Sequence, residues 1–160
     1  MMDGFLFVLT LFAALGCAMM AGVFFAFSAF VMKALARLPA QQGIEAMQAI
    51  NVAAVTFAFM AALFGTAVAC GALAVWALFA WDERFAPYLI VGSALYLIGT
   101  ILLTIVYHVP RNEALARVEP HSADAESHWT RYRSGWTAWN HLRGVTALVA
   151  AATLTIALHV

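Results

Sequence analysis

The residues best equipped for chemistry collect at one end of otherwise apolar segments. His108 closes the third of four apolar runs, and the string Trp136-Thr137-Ala138-Trp139-Asn140-His141-Leu142-Arg143 opens the fourth. Ser28 falls near the end of the first run and Asn51 at the start of the second. An imidazole titrates near neutrality, so it suits proton transfer or ligation of a metal. A guanidinium beside an amide is a fixed donor set for a developing anion. Tyr132, Trp136 and Trp139 offer flat faces to an aromatic ligand.

Singly, each residue has a plainer reading. Arg143 would anchor topology by reaching the membrane edge, and the tryptophans would form an interface belt. Ser28 and Asn51 would bond across helices. Together they come from four segments at one depth, and that convergence makes a shared pocket the functional expectation. His121, His128 and His159 lie in or near a polar connection or at the far end, and are not expected to be ligands. The seven methionines are dispersed, which fits packing better than copper binding. No HExxH, P-loop, dinucleotide glycine motif or GxSxG is present.

The elements that must position these residues follow from composition. The chain has 160 residues, 65% hydrophobic and 10% charged, with a formal net charge of zero. A soluble domain is nearer half apolar and one quarter charged, so the solvent for the excess is lipid. Runs long enough to cross a bilayer cover residues 5–32, 52–81, 88–109 and 140–160. They predict an all-α, integral membrane, four-helix up-down bundle forming one domain over residues 1–160. The first run lacks a basic leader and is too long for a signal core, so it is expected to be retained. Cys17 and Cys70 fall inside runs and are read as small buried residues.

Charge sets the expected orientation. Of eight basic residues, only Arg84 lies on one side; Lys33, Arg37, Arg111, Arg117, Arg131, Arg133 and Arg143 share the other. The positive-inside rule makes that side cytoplasmic and puts both termini outside, most simply in a plasma (inner) membrane. The turn at Trp81 to Pro87 predicts a hairpin, with Pro87 at a helix start. Gly43 precedes an amphipathic lead-in, Ile44 to Ile50. Asn112 is expected to cap a short helix through Leu115, and Ser122 the long fourth helix.

Inward faces follow the small and polar residues. The third run shows Gly92, Tyr96, Thr100, Thr104 and His108 every four residues. The second aligns Asn51 with Ala58, Ala62, Gly65 and Ala69, and the first aligns Ser28 with Ala14, Ala18 and Ala21. In the fourth, Thr146, Ala150, Thr153 and Ala157 extend back through Arg143, Trp139, Trp136, Tyr132 and His128, with Asn140 at the edge and His141 on the other side.

Three strings carry a likeness: Gly22-Val23-Phe24-Phe25-Ala26-Phe27-Ser28; Val109-Pro110-Arg111-Asn112 with Ala114-Leu115-Ala116; and the tryptophan-rich string ending in Asn140-His141-Leu142-Arg143. With Ile50-Asn51, the chain resembles the DUF1772, or anthrone oxygenase-like, family over nearly its whole length. The resemblance implies a four-helix membrane protein. It also implies the activity of fungal members, which oxidise anthrones to anthraquinones with dioxygen. It makes Asn51, Asn112, Asn140, His141 and Arg143 site candidates. The family often carries Asn where this chain has His108, so the likeness does not itself make His108 a metal ligand.

On this basis the expected function is a membrane oxygenase or oxidoreductase acting on an anthrone- or quinone-like aromatic. His108, or secondarily His141, would be the base, and Arg143 with Asn140 would hold the anion. Ser28, Asn51, Asn112, Tyr132, Trp136 and Trp139 would surround the substrate. The cofactor is left open between none, haem and a transition metal, the latter two on His108 or His141. The alternative is a non-enzymatic haem-, quinone- or lipid-binding membrane protein or assembly subunit. A transporter fits less well, because the runs carry no broken-helix pair and no buried acidic relay. Expected partners are membrane lipid, a hydrophobic small molecule and a second copy of the chain, with no nucleic acid.

Overall fold

The computed structural model describes residues 2–160, and among them it contains helices and no strands. Five helices follow in order: α1 (Gly4–Leu35), α2 (Ala40–Ala53), α3 (Phe57–Phe79), α4 (Ala86–Ala116) and α5 (Ala125–Ala157). Local chemistry explains most of their starts. Asp3 Oδ1 accepts from Leu6 N at 2.8 Å to cap α1, and Thr56 Oγ1 accepts from Phe59 N at 3.3 Å to cap α3. Pro87 sits in the first turn of α4, where its missing N–H costs nothing.

Helices α1, α3 and α4 are long and apolar enough to cross a membrane. The chain is an integral membrane protein. Helix α5 spans 33 residues but falls outside that group, because Asn140, His141 and Arg143 dilute its apolar half. That half still packs along both α1 and α4, burying Ala147, Ala150, Leu154 and Ala157. Large side chains such as Phe12, Leu15, Val68 and Leu148 face outward, as lipid contact requires.

Two apolar clusters divide the molecule along its length. The larger fills the membrane bundle, from Leu6 and Phe85 at one end to Phe24 and Tyr96. In it, Tyr96 donates to Leu63 O at 3.1 Å, and Cys17 and Cys70 are fully buried with sulfurs 4.0 Å apart. Gly16 is required for the α1–α3 approach: a Cβ there would lie 2.1 Å from Thr66 Oγ1. The smaller cluster forms a cap at the other end, where Ile44 and Met47 of α2 meet Met32, Leu35, Leu115, Trp129, Tyr132 and Trp136. Gln48 Nε2 fastens this cap by donating to Leu115 O and Val118 O at 2.9 and 3.1 Å.

Several elements differ from the sequence reading. The second run is not one helix. The chain breaks after Ala53, and Thr56 starts α3 afresh, which resets the helical phase. Asn51 therefore sits on the last turn of α2 and does not share a stripe with Ala58, which is exposed. The buried face of α3 is Leu63, Thr66, Ala69, Cys70, Leu73 and Ala77. Ala18, expected inward, is exposed on α1. Asn112 caps no new helix, because α4 runs unbroken past Pro110 to Ala116. Asp124, not Ser122, occupies the N-cap position of α5, without a side-chain cap bond.

Widened turns explain how α4 tolerates Pro110. Hydrogen bonding loosens to the π pattern at Leu97–Leu102 and again at Thr104–His108, and α1 has one such stretch at Phe27–Val31. The stretch just before Pro110 absorbs its missing donor. All three lie at the depth where the polar residues gather.

Candidate functional site

Arg143 is the centre of the polar cluster. It is 8% exposed, yet no carboxylate pairs with it among the described residues. Its Nη1 donates to Thr104 Oγ1 at 3.0 Å and its Nη2 to Asn140 Oδ1 at 2.6 Å. The guanidinium lies over the Phe24 ring at 4.0 Å and the Trp136 ring at 5.8 Å. Its Nε has no hydrogen-bond partner in the protein. A charge this deep is expensive and is held here by neutral groups alone.

Asn140 is fully buried and ties α5 to α1. Its Nδ2 donates to Phe24 O and Ser28 Oγ, each at 2.7 Å. Both donors and the acceptor of this amide are thus used, which fixes the Arg143 fork. The widened turn at Phe27–Val31 follows directly, with Ser28 inside it.

His108 is 1% exposed, and neither ring nitrogen has a partner in the protein. It stands edge-on to Trp136 with centroids 5.2 Å apart, and edge-on to Tyr107 at 5.5 Å. It shares the Trp136 ring with Arg143. A buried imidazole must carry at least one N–H, and both its nitrogens are normally satisfied. Both nitrogens, beside an open guanidinium Nε, could accept a polar partner, either a water or a ligand.

Toward the cap, Asn112 Oδ1 accepts from Tyr132 Oη at 2.8 Å and from Trp136 Nε1 at 3.1 Å. Trp136 is therefore clamped by an amide at its edge and packed on Phe27 at 5.7 Å. Asn51 lies beside Tyr132, and its Nδ2 is buried without a partner. No group of three or more His, Cys, Asp or Glu residues converges among the described residues.

The model of the anthrone oxygenase family matches residues 53–153, more than half of the chain. The chain belongs to the anthrone oxygenase family. Searches of curated proteins and of solved structures find no match. In this anthrone oxygenase family member the match takes in α3, α4 and most of α5. It includes His108, Asn112, Tyr132, Trp136, Asn140 and Arg143, and leaves Ser28 and Asn51 outside.

The structure thus brings together Ser28, Asn51, His108, Asn112, Tyr132, Trp136, Asn140 and Arg143 within one inner region of this anthrone oxygenase family chain. Two expected members stand apart. Trp139 is 41% exposed and leans on Tyr107 with centroids 4.8 Å apart, at the outer edge of the buried face of α5. His141 is exposed on the side that helix arithmetic gave it, separate from His108. Asn140, expected at the edge of the face, is fully buried. Thr104 and Phe24 hold Arg143 directly. The first was visible as part of the α4 stripe. The second, a plain aromatic in an apolar run, gave no sign.

Proposed function

We propose that this protein is a membrane oxygenase that oxidises an anthrone- or quinone-like aromatic with dioxygen, its site facing the cytoplasm of an inner membrane. The observation that carries this reading is the open imidazole of His108, buried beside the unpaired, partly unsatisfied guanidinium of Arg143. Family membership supports the reaction class.

The chemistry is the conversion of a benzylic CH2 next to a ketone-bearing ring into a carbonyl. His108 takes one benzylic proton. The electron pair left behind is delocalised onto the ketone oxygen, and the Arg143–Asn140–Thr104 arrangement stabilises that charge. Dioxygen accepts electrons from the carbanion, a C–O bond forms, and protonation by His108 gives a hydroperoxide. Loss of water then yields the new carbonyl. The balance is one substrate and one O2 in, one diketone and one H2O out. Trp136 presents a fixed flat face for the rings.

The test is oxygen uptake and anthraquinone formation from a model anthrone with purified protein. His108→Gln and Arg143→Gln should each slow turnover by roughly 100-fold or more, the usual contribution of a general base or an oxyanion donor. Full activity in both variants would overturn the proposal. A second reading shares the same observation: His108, the one buried imidazole among the described residues, would be the residue to hold a haem iron in a non-enzymatic binder. A Soret band that disappears in His108→Gln, without anthrone turnover, would favour it.

A further inference from the structure

A groove between α1 and α5 opens beside the reaction centre and shares Asn140 and Phe24 with it. It encloses about 300 Å³, the lower end of the range for small-molecule sites. Its walls are Ala18, Gly22 and Phe25 of α1 with Gly144, Val145 and Leu148 of α5. Most of these are exposed and lie on apolar stretches, so the groove opens sideways to lipid rather than to water. A Cβ built on Gly22 meets nothing within 4 Å.

Small residues alone would leave room only for a lipid tail. Two polar features at this groove point elsewhere. Ser28 is 3% exposed and lines the floor. It accepts from Asn140, and its own O–H donates to no acceptor among the described residues. A buried hydroxyl with an unused proton is set to meet an acceptor. Asn140, also in the floor, continues to Arg143 through its other amide atom. At the rim His141 presents an imidazole to an apolar surface, a costly placement that in membrane helices marks function.

We infer that this groove is where a flat, oxygen-bearing aromatic docks from the bilayer, its carbonyl or phenol oxygen on the Ser28 hydroxyl and its rings along the apolar walls. An acyl chain has no acceptor at this depth, whereas a polycyclic ketone does. Phe24 lines the groove and also carries the Arg143 guanidinium on its ring. One aromatic side chain therefore separates the docked molecule from the reaction centre. The substrate class rests on the oxygenase reading; the docking position does not.

The experiment measures binding without turnover, by the visible absorbance shift of a hydroxylated anthraquinone titrated into protein in phosphatidylcholine nanodiscs. Gly22→Leu fills the groove from open space, and Leu148→Trp fills it from an exposed position on the other wall. Ser28→Ala removes the hydroxyl. Gly71→Leu, which also enters open space but on α3, is the control for loss of nonspecific partitioning. Each groove variant should weaken binding roughly tenfold, the equivalent of one lost hydrogen bond or one blocked ring contact, while Gly71→Leu binds as wild type. Should Gly22→Leu fail to fold, Leu148→Trp decides. Unchanged binding in the folded groove variants, or equal weakening in Gly71→Leu, would overturn the docking site. Absence of anthrone turnover in the wild type, with groove-dependent binding intact, would overturn the oxygenase reading instead.

Discussion

Arg143 makes both of its hydrogen bonds to neutral oxygens on two different helices, so its value lies in shape as much as in charge. A lysine would keep the charge but could not span Thr104 and Asn140 in one plane. Arg143→Lys should therefore lose most anthrone turnover, roughly tenfold or more, with protein yield unchanged; wild-type rates in that variant would show that charge alone suffices. Asn112 offers a second residue-level test, because one oxygen serves two donors. Asn112→Leu strands the Tyr132 hydroxyl and the Trp136 indole together and should cost about 1–3 kcal/mol for each. Tyr132→Phe removes one donor and leaves the amide its other partner, so about 0.5–1.5 kcal/mol is expected. Reversible denaturation in mixed micelles measures both. A Tyr132→Phe loss equal to that of Asn112→Leu would mean the indole bond contributes nothing.

At the level of elements, the α1–α3 contact rests on Gly16 against Thr66. Gly16→Ala forces a methyl into the Thr66 hydroxyl and should destabilise by about 1–3 kcal/mol. Thr66→Ala removes both of the nearest Thr66 atoms, so the Gly16→Ala/Thr66→Ala pair should recover much of the loss. A strictly additive double variant would refute the direct clash. The same scale shows what the sequence could reveal. The stripe from Gly92 to His108 was legible because its members recur every four residues. In an ideal α-helix that spacing drifts by roughly 40° per step, enough to carry His108 away from the face Gly92 starts. The widened turns at Leu97–Leu102 and Thr104–His108 correct the drift, and no residue type announces them. The break at Ala54 to Thr56 was hidden for the opposite reason. Apolar residues continue straight through it, so hydropathy sees one run where capping by Thr56 makes two helices. Arg143 was placed inward by simple periodicity on α5, the straightest case. Phe24 could not be found as its partner, because a ring that carries a cation looks in sequence like any ring that faces lipid.

For the whole molecule, the polar cluster's side of the membrane follows from how many times the chain crosses. Helix α5 decides this: its polar insertions keep it below the hydropathy of α1, α3 and α4, yet its far half is buried against two of them. If α5 crosses, both termini share one side and the cap with α2 lies on the other, which the positive-inside rule predicts to be the cytoplasm. A periplasmic reporter such as alkaline phosphatase fused after Val160 should then be active, and a fluorescent protein at the same point dark. Single cysteines in a Cys17→Ala/Cys70→Ala background test the other surfaces. One at Asp82 should react with an impermeant maleimide on intact cells, and one at Ala123, between α4 and α5, should react only after lysis. A bright fluorescent fusion with Asp82 still labelled from outside would mean that α5 does not cross. Arg143 would then be a cation folded back onto the bundle, with water to satisfy it and no reason to await a developing anion. The same labelling experiment therefore tests both the burial of the Arg143 charge and the topology of the last helix.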